Sequence, residues 1–116
     1  MNAERRLFPR KPVNVPVQVI LPDGAEAQAH MDTLSKNGTQ LSCNRELVLS
    51  LLEQNDYPPT CQLKFSLPGD EAAIDVEIRM VVNRRIVADH HSLGFSFVSF
   101  KDGGEVAVSD YLDIAW

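Results

Sequence analysis

The chain has 116 residues, 44% of them hydrophobic, which is enough for one packed domain and little more. Its longest apolar runs are three or four residues, far short of the roughly 20 that a bilayer-spanning helix needs. The formal net charge is −5, but Arg5, Arg6, Arg10 and Lys11 against Glu4 make the first eleven residues +3 and leave −8 for the rest. A cationic arm on an acidic body does not suit long duplex DNA, which asks for basic charge spread over a face. It suits one small anionic ligand or an acidic partner. The N-terminal basic residues run into Pro9 rather than a continuous apolar segment, so no signal peptide is expected and the expected compartment is the cytoplasm.

In chain order, residues 1–12 read as a flexible basic arm and residues 13–116 as the folded domain. Val13, Val15, Val17, Val19 and Leu21 alternate with mostly polar neighbours, the pattern of a strand with one buried face. Pro16 marks an edge or bulge in it. Pro22-Asp23-Gly24 has turn chemistry, and Ala25, Ala27, Ala29 and Met31 continue the odd parity as a second strand. Small and polar residues from Asp32 to Gly38 break the pattern before a short third strand, Thr39 to Cys43. Asn44 is the expected N-cap of a helix through about Gln54, with Leu47, Val48, Leu51 and Leu52 at helical spacing, and Asn55 to Pro59 ends it. Thr60 to Leu67 is a fourth strand, and Pro68-Gly69-Asp70 turns the chain.

Ile74, Val76, Ile78, Met80 and Val82 define the buried face of a long fifth strand, with Asp75, Glu77 and Arg79 outward. Asp89 to Ser92 is the next expected turn, and Leu93, Phe95 and Phe97 a sixth strand. After Asp102-Gly103-Gly104, Val108, Tyr111, Leu112 and Ala115 fall at i, i+3, i+4 and i+7, the apolar stripe of a terminal helix. Six short antiparallel strands predict a mainly β fold closed into a small barrel, since an open sheet of this size exposes its edges.

Cys43 and Cys61 each continue an alternating apolar series, so both are expected as buried free thiols rather than a disulfide or ligands. No CxxC or HExxH pattern occurs, and His30, His90 and His91 lack metal-ligand partners at useful spacing. Ser35 has no evident His and acidic partner. Neither a metal, a cofactor nor an enzymatic activity is expected. Three features carry other chemistry. The first is Arg6-Leu7-Phe8-Pro9-Arg10 with Arg5 before it, because a guanidinium fork suits phosphates and guanine edges. The second is Thr33-Leu34-Ser35-Lys36-Asn37-Gly38 directly after a strand, where Ser35 and nearby amides can donate to phosphate oxygens and Gly38 permits an unusual backbone geometry. The third, Arg84-Arg85, carries little weight, since a surface pair of charges is ordinarily only solvated. Taken singly, the first two also read as a solvated basic terminus and an ordinary turn.

An RxxxR arm, some twenty residues of hairpin, a [D/N]xSxxG-like turn and a barrel ending in a helix together resemble a PilZ domain, the bacterial receptor module for cyclic di-GMP. Arg6 and Arg10 match RxxxR, Ser35 and Gly38 match the second element, and Leu93-Gly94-Phe95-Ser96-Phe97 resembles the family's Gly-containing sixth strand. The position two before Ser35, Asp or Asn in the family pattern, is Thr33 here, with Asp32 one residue earlier. The resemblance implies that Arg6 and Arg10 contact phosphates and guanine, that Asp32 or Thr33 meets guanine or its ribose with Ser35 nearby, and that Gly38 allows close approach. Arg5, preceding RxxxR, implies two stacked ligands per chain, whose four negative charges need extra cationic cover.

One domain leaves no room for an output module, so the implied role is an adaptor whose rearranged arm is sensed by a downstream protein. An alternative reading keeps the fold and drops the ligand, with Thr33 as the feature in its favour: a degenerate PilZ domain acting as a protein-interaction module. Binding of single-stranded nucleic acid would call for a basic groove with stacking aromatics, which an acidic body with five Phe, two Tyr and one Trp does not suggest. Monomer and homodimer both remain open, the terminal helix and Trp116 being available for either packing on the barrel or pairing.

Overall fold

In the computed structural model, which describes residues 10–54 and 58–115, six strands pair antiparallel in the order β1-β2-β3-β6-β5-β4 and close into a barrel. The strands are β1 (Lys11–Ile20), β2 (Glu26–Leu34), β3 (Gly38–Cys43), β4 (Thr60–Ser66), β5 (Ala73–Val87) and β6 (His90–Phe100). Helix α1 (Arg45–Leu52) joins β3 to β4, and α2 (Gly104–Ala115) follows β6. The mainly β barrel with two helices agrees with the fold expected from the sequence.

Alternation accounts for the interior. Val19, Met31, Leu41, Leu63, Val76, Ile78 and Leu93 are almost completely buried, and Leu47, Val48 and Leu51 of α1 with Val108 and Leu112 of α2 complete the same core. Asn44 caps α1 as expected, its side-chain oxygen accepting the Leu47 N–H at 2.9 Å. Cys43 and Cys61 are buried free thiols.

Three expectations need correction, and the edge-or-bulge reading of Pro16 resolves to an edge. Pairing of Lys11 with Leu34 and Pro12 with Thr33 puts the last two residues of the supposed arm into β1. The bulge of that strand falls between Pro12 and Val15, where Asn14 has φ 53°, and not at Pro16. Pro16 pairs with His30 on one side only, because β4 meets β1 just at Gln18–Ile20; it is an edge position, as its missing N–H requires. The β5–β6 hairpin is also longer than the apolar alternation suggests. Its turn is Ala88-Asp89, so His90 and His91 belong to β6, and His91 is buried. Finally, a register shift between Met80 and Val82 takes Val82 out of the core series and leaves it 48% exposed.

Candidate functional site: a polar cleft across four strands

A bulge creates one rim of the site. In β2, Met31 pairs with Leu41 and Thr33 with Gln40, so Asp32 is an extra residue. Strict alternation would turn Thr33 inward with Met31. The bulge instead gives the buried position to Leu34 and leaves Thr33 on the outer face. There its hydroxyl lies 3.4 Å from Gln40 Oε1. Asp32 goes elsewhere: its carboxylate accepts from Ser42 Oγ and stands 3.8 Å from His30 Nε2.

The β2–β3 turn is fixed by its own polar groups. Ser35 is buried, and its backbone N–H donates to Gly38 O at 2.9 Å while its hydroxyl donates to Asn37 Oδ1 at 2.7 Å. Thr39 Oγ1 donates to Thr33 O at 2.8 Å, and the Phe97 N–H donates to Asn37 O at 3.0 Å, tying the turn to β6. Lys36 points away to Asp113 of α2 at 3.1 Å. Gly38 is required for space rather than for an unusual dihedral: a Cβ there would lie 2.4 Å from the Phe95 carbonyl oxygen.

Short side chains make the floor. On the outward parity of β6, Ser92, Gly94 and Ser96 lie beside Ser42, Gln40 and Gly38 of β3, and Gln40 Nε2 donates to Ser92 Oγ at 2.9 Å. On its other side β6 pairs with β5, placing Val82 beside Gly94 and Arg84 beside Ser92. The result is a cleft of about 360 Å³ running from Arg10 and Thr33 on one rim, over Gly38, Gln40 and Gly94, to Val82 and Arg84 on the other. The rims are three strand spacings apart, about 14 Å. Both Arg10 and Arg84 are exposed, so guanidinium groups stand at both ends of a floor lined by hydroxyls and amides. Such a surface offers charged donors to phosphates and a flat, shallow bed to a planar base.

Of the residues singled out in the sequence, Arg10, Thr33, Ser35 and Gly38 come together in this cleft, and Asp32 does not line it. Arg5 and Arg6 lie outside the described residues. Arg84 does line it, with Gln40, Ser92, Gly94 and Ser96. A signal for the floor was present: Ser92, Gly94 and Ser96 share the outward parity between buried Leu93 and Phe95. The sequence marked Arg84-Arg85 only as a surface charge pair of little weight, and the place of Arg84 in the cleft comes from the β5–β6 pairing. Among the described residues, no group of three His, Cys, Asp or Glu is placed to hold a metal ion, and no helix is long and apolar enough to cross a membrane.

Comparison with known proteins agrees with the architecture. The family model described as PilZ domain matches residues 4–113. The fold is similar to the inhibitor of motility MotI/DgrA of Bacillus subtilis, with a TM-score of 0.74, 16% identity, and 97% of this chain aligned to 51% of that one. It is also similar to the Klebsiella pneumoniae MrkH–c-di-GMP complex (TM-score 0.68, 14% identity, 97% of this chain and 53% of that chain). The PilZ domain of Escherichia coli YcgR with c-di-GMP gives a TM-score of 0.63 at 12% identity, over 96% of this chain and 91% of that one. The chain thus spans about half the length of the first two proteins, and no curated protein matches it by sequence. With a family model covering nearly its whole length and the barrel to match, the chain belongs to the PilZ domain family.

Proposed function

We propose that this PilZ domain is a receptor for cyclic di-GMP, which binds in the cleft between Arg10 and Arg84 and is read out by a partner protein through the arm that carries Arg5 and Arg6. The observation that carries the reading is the convergence of Arg10, Thr33, Ser35 and Gly38 on one cleft, with a further guanidinium from β5. The MrkH and YcgR PilZ structures contain c-di-GMP. A dianionic ligand matches the cationic arm, and each charge-assisted hydrogen bond contributes about 1.5–3 kcal/mol. A few arginines therefore supply much of the roughly 8 kcal/mol of a micromolar complex, offset in part by ordering of the arm.

Arg6 and Arg10 take the phosphates and the guanine edge, and Thr33 and Ser35 the opposite side, with Gly38 leaving the backbone open to close approach. The bulge at Asp32 turns Thr33, not Asp32, toward the cleft, so Thr33 is the residue assigned to the guanine or ribose contact. Arg5 supports two stacked ligands per chain. Calorimetric titration with cyclic di-GMP tests the proposal: binding with a ratio near two is expected, falling to one for Arg5→Leu, and Arg6→Ala or Arg10→Ala abolishes it with the fold intact. Absence of binding to the unsubstituted protein would favour the alternative, an interaction module without a nucleotide, for which Thr33 at the usual Asp or Asn position speaks.

A further inference from the structure

The β5–β6 hairpin presents an unpaired strand edge. On the side where β4 lies, the last contact to β5 is the Met80 N–H donating to Pro59 O at 2.9 Å. Beyond it, among the described residues, no backbone hydrogen bond reaches Val81–Val87 from outside the β5–β6 ladder. The opposite side is closed. There β6 pairs with β3 as far as His91, and Asp89 Oδ1 at the tip accepts the Arg45 N–H of α1 at 3.0 Å. The hairpin is thus held by one edge and its tip, while seven residues of the other edge, about 23 Å at strand rise, keep their outward backbone groups in solvent. Along this edge Val81, Val82, Ile86 and Val87 are exposed apolar side chains flanking Arg84 and Arg85. Neither arginine has an ion pair among the described residues. Between Glu77 and Asp89 the sequence holds Arg79, Arg84 and Arg85 and no acidic residue, in a chain of net charge −5.

We propose that this edge docks an extended segment of another protein, one with two adjacent carboxylates flanked by β-branched residues, which adds a strand to β5. Each part of that partner follows from the edge. Unpaired backbone donors and acceptors in a row are met by an extended chain, which satisfies them in one ladder. Successive residues of β5 face opposite ways. Val82 and Arg84 line the cleft, whereas Asn83 Oδ1 lies 3.1 Å from Nδ1 of the buried His91 on the inner side. Arg85 shares the parity of Asn83, so the two arginines stand on opposite faces, and two adjacent acidic residues of an added strand give one carboxylate to each. The exposed Val81, Val82, Ile86 and Val87 are β-branched neighbours for apolar residues on either side of that pair. A second copy of the chain does not fit. Antiparallel pairing of the whole edge with itself centres on Arg84 and sets like charges directly opposite each other. The added strand runs along the β5 rim of the cleft, and its recognition is independent of what the cleft binds.

Amide hydrogen exchange on the full chain tests this, with the synthetic peptide Thr-Val-Thr-Glu-Glu-Thr-Val-Thr as probe at millimolar concentration. The outward amides of Val81–Val87 should exchange about tenfold more slowly in its presence, and those of α2 should not change. Two control peptides separate charge from strand pairing. One has Lys in place of Glu; the other, Gly-Pro-Gly-Glu-Glu-Gly-Pro-Gly, keeps the charge but cannot enter a ladder. Neither should protect the edge. Arg85→Glu, an exposed position outside the cleft, should lose the protection at the same peptide concentration. Unchanged exchange in the rest of its barrel shows that the fold is kept. No protection by the acidic peptide, equal protection by all three, or full protection of the Arg85→Glu variant overturns the proposal. So does protection that grows with protein concentration without any peptide, which would put a second copy at the edge.

Discussion

The barrel wall and the hairpin that projects from it are made of the same two strands, β5 and β6, yet they obey different rules. From Val76 to Arg79, β5 is paired on both sides, with β4 and β6, and Ile74, Val76, Ile78 and Met80 fill the interior. Beyond Met80 the register shifts, pairing with β4 ends, and every residue from Val81 to His90 is exposed. The wall buries apolar area and so carries stability. The hairpin buries almost nothing and holds Val82 and Arg84 over the cleft. One ladder serves two purposes, and the bulge is the point where it changes from one to the other.

The widest separation between the two regions should appear on truncation. Leu63→Ala or Ile78→Ala leaves a cavity in a close-packed interior, since both are completely buried. The expected cost is about 2–5 kcal/mol. Val82→Ala and Ile86→Ala, about half exposed, should stay within about 0.5 kcal/mol of the parent. Denaturant unfolding measures all four, and a hairpin variant as destabilising as a wall variant would break the comparison.

This contrast also explains what could be read in the sequence. Strand and helix positions were legible wherever one face was buried, because strict alternation from Val13 to Leu21 or Ile74 to Met80 has a single physical cause. The same rule failed at the bulges. Val82 keeps the apolar parity of Met80, and only pairing with Gly94 after a register shift explains its exposure. Thr33 faces out through the extra residue Asp32, which alternation alone cannot foresee. The β2 side of the cleft was legible as a motif, since Ser35 and Gly38 lie in one turn. The β5 side was not, because Arg84 enters through partners that are local in space and distant in sequence.

Gly38 carries the next effect. It lies at the start of β3 where the backbone runs against β6, and a Cβ would sit 2.4 Å from Phe95 O. Gly38→Ala must push β3 from β6 at the cleft floor, costing about 1–3 kcal/mol by overpacking. Gly24, with φ 92° but no atom near its absent Cβ, makes the contrasting control. Gly24→Ala should alter stability through turn strain while leaving cleft binding as it was. Thermal unfolding and titration of both variants check this.

The wall further predicts a pH dependence that the hairpin lacks. Burial pushes the Cys43 thiol up to about 11 and the Cys61 thiol up to about 12, from an ordinary 9.0, because a thiolate is poorly solvated there. As pH rises above 9, the unfolded chain loses these protons and the folded chain keeps them. Stability therefore falls with pH, by up to about 1.4 kcal/mol per unit for each thiol while it remains protonated in the fold. Cys43→Ala with Cys61→Ala should flatten the slope between pH 9 and 11, as measured by urea unfolding, although packing lowers the absolute stability.

The smallest effect on stability belongs to Arg84→Ala. Its side chain is exposed, on a hairpin that contributes little burial, so unfolding should shift by no more than about 0.5 kcal/mol. Ligand binding should respond differently. Arg84 is the cleft's cation on the β5 rim, facing Arg10 across a floor of hydroxyls and amides. Losing one charge-assisted contact of about 1.5–3 kcal/mol weakens binding of cyclic di-GMP roughly 10- to 100-fold. Its neighbour Arg85 pairs with His91 on the ladder and does not line the cleft, so Arg85→Ala should bind as the parent does. Both substitutions remove the same charge from the same hairpin, so a general electrostatic effect would weaken the two equally. Calorimetry at two salt concentrations distinguishes the cases: a loss confined to Arg84→Ala places the hairpin in the binding site, whereas equal losses would reduce its role to long-range attraction.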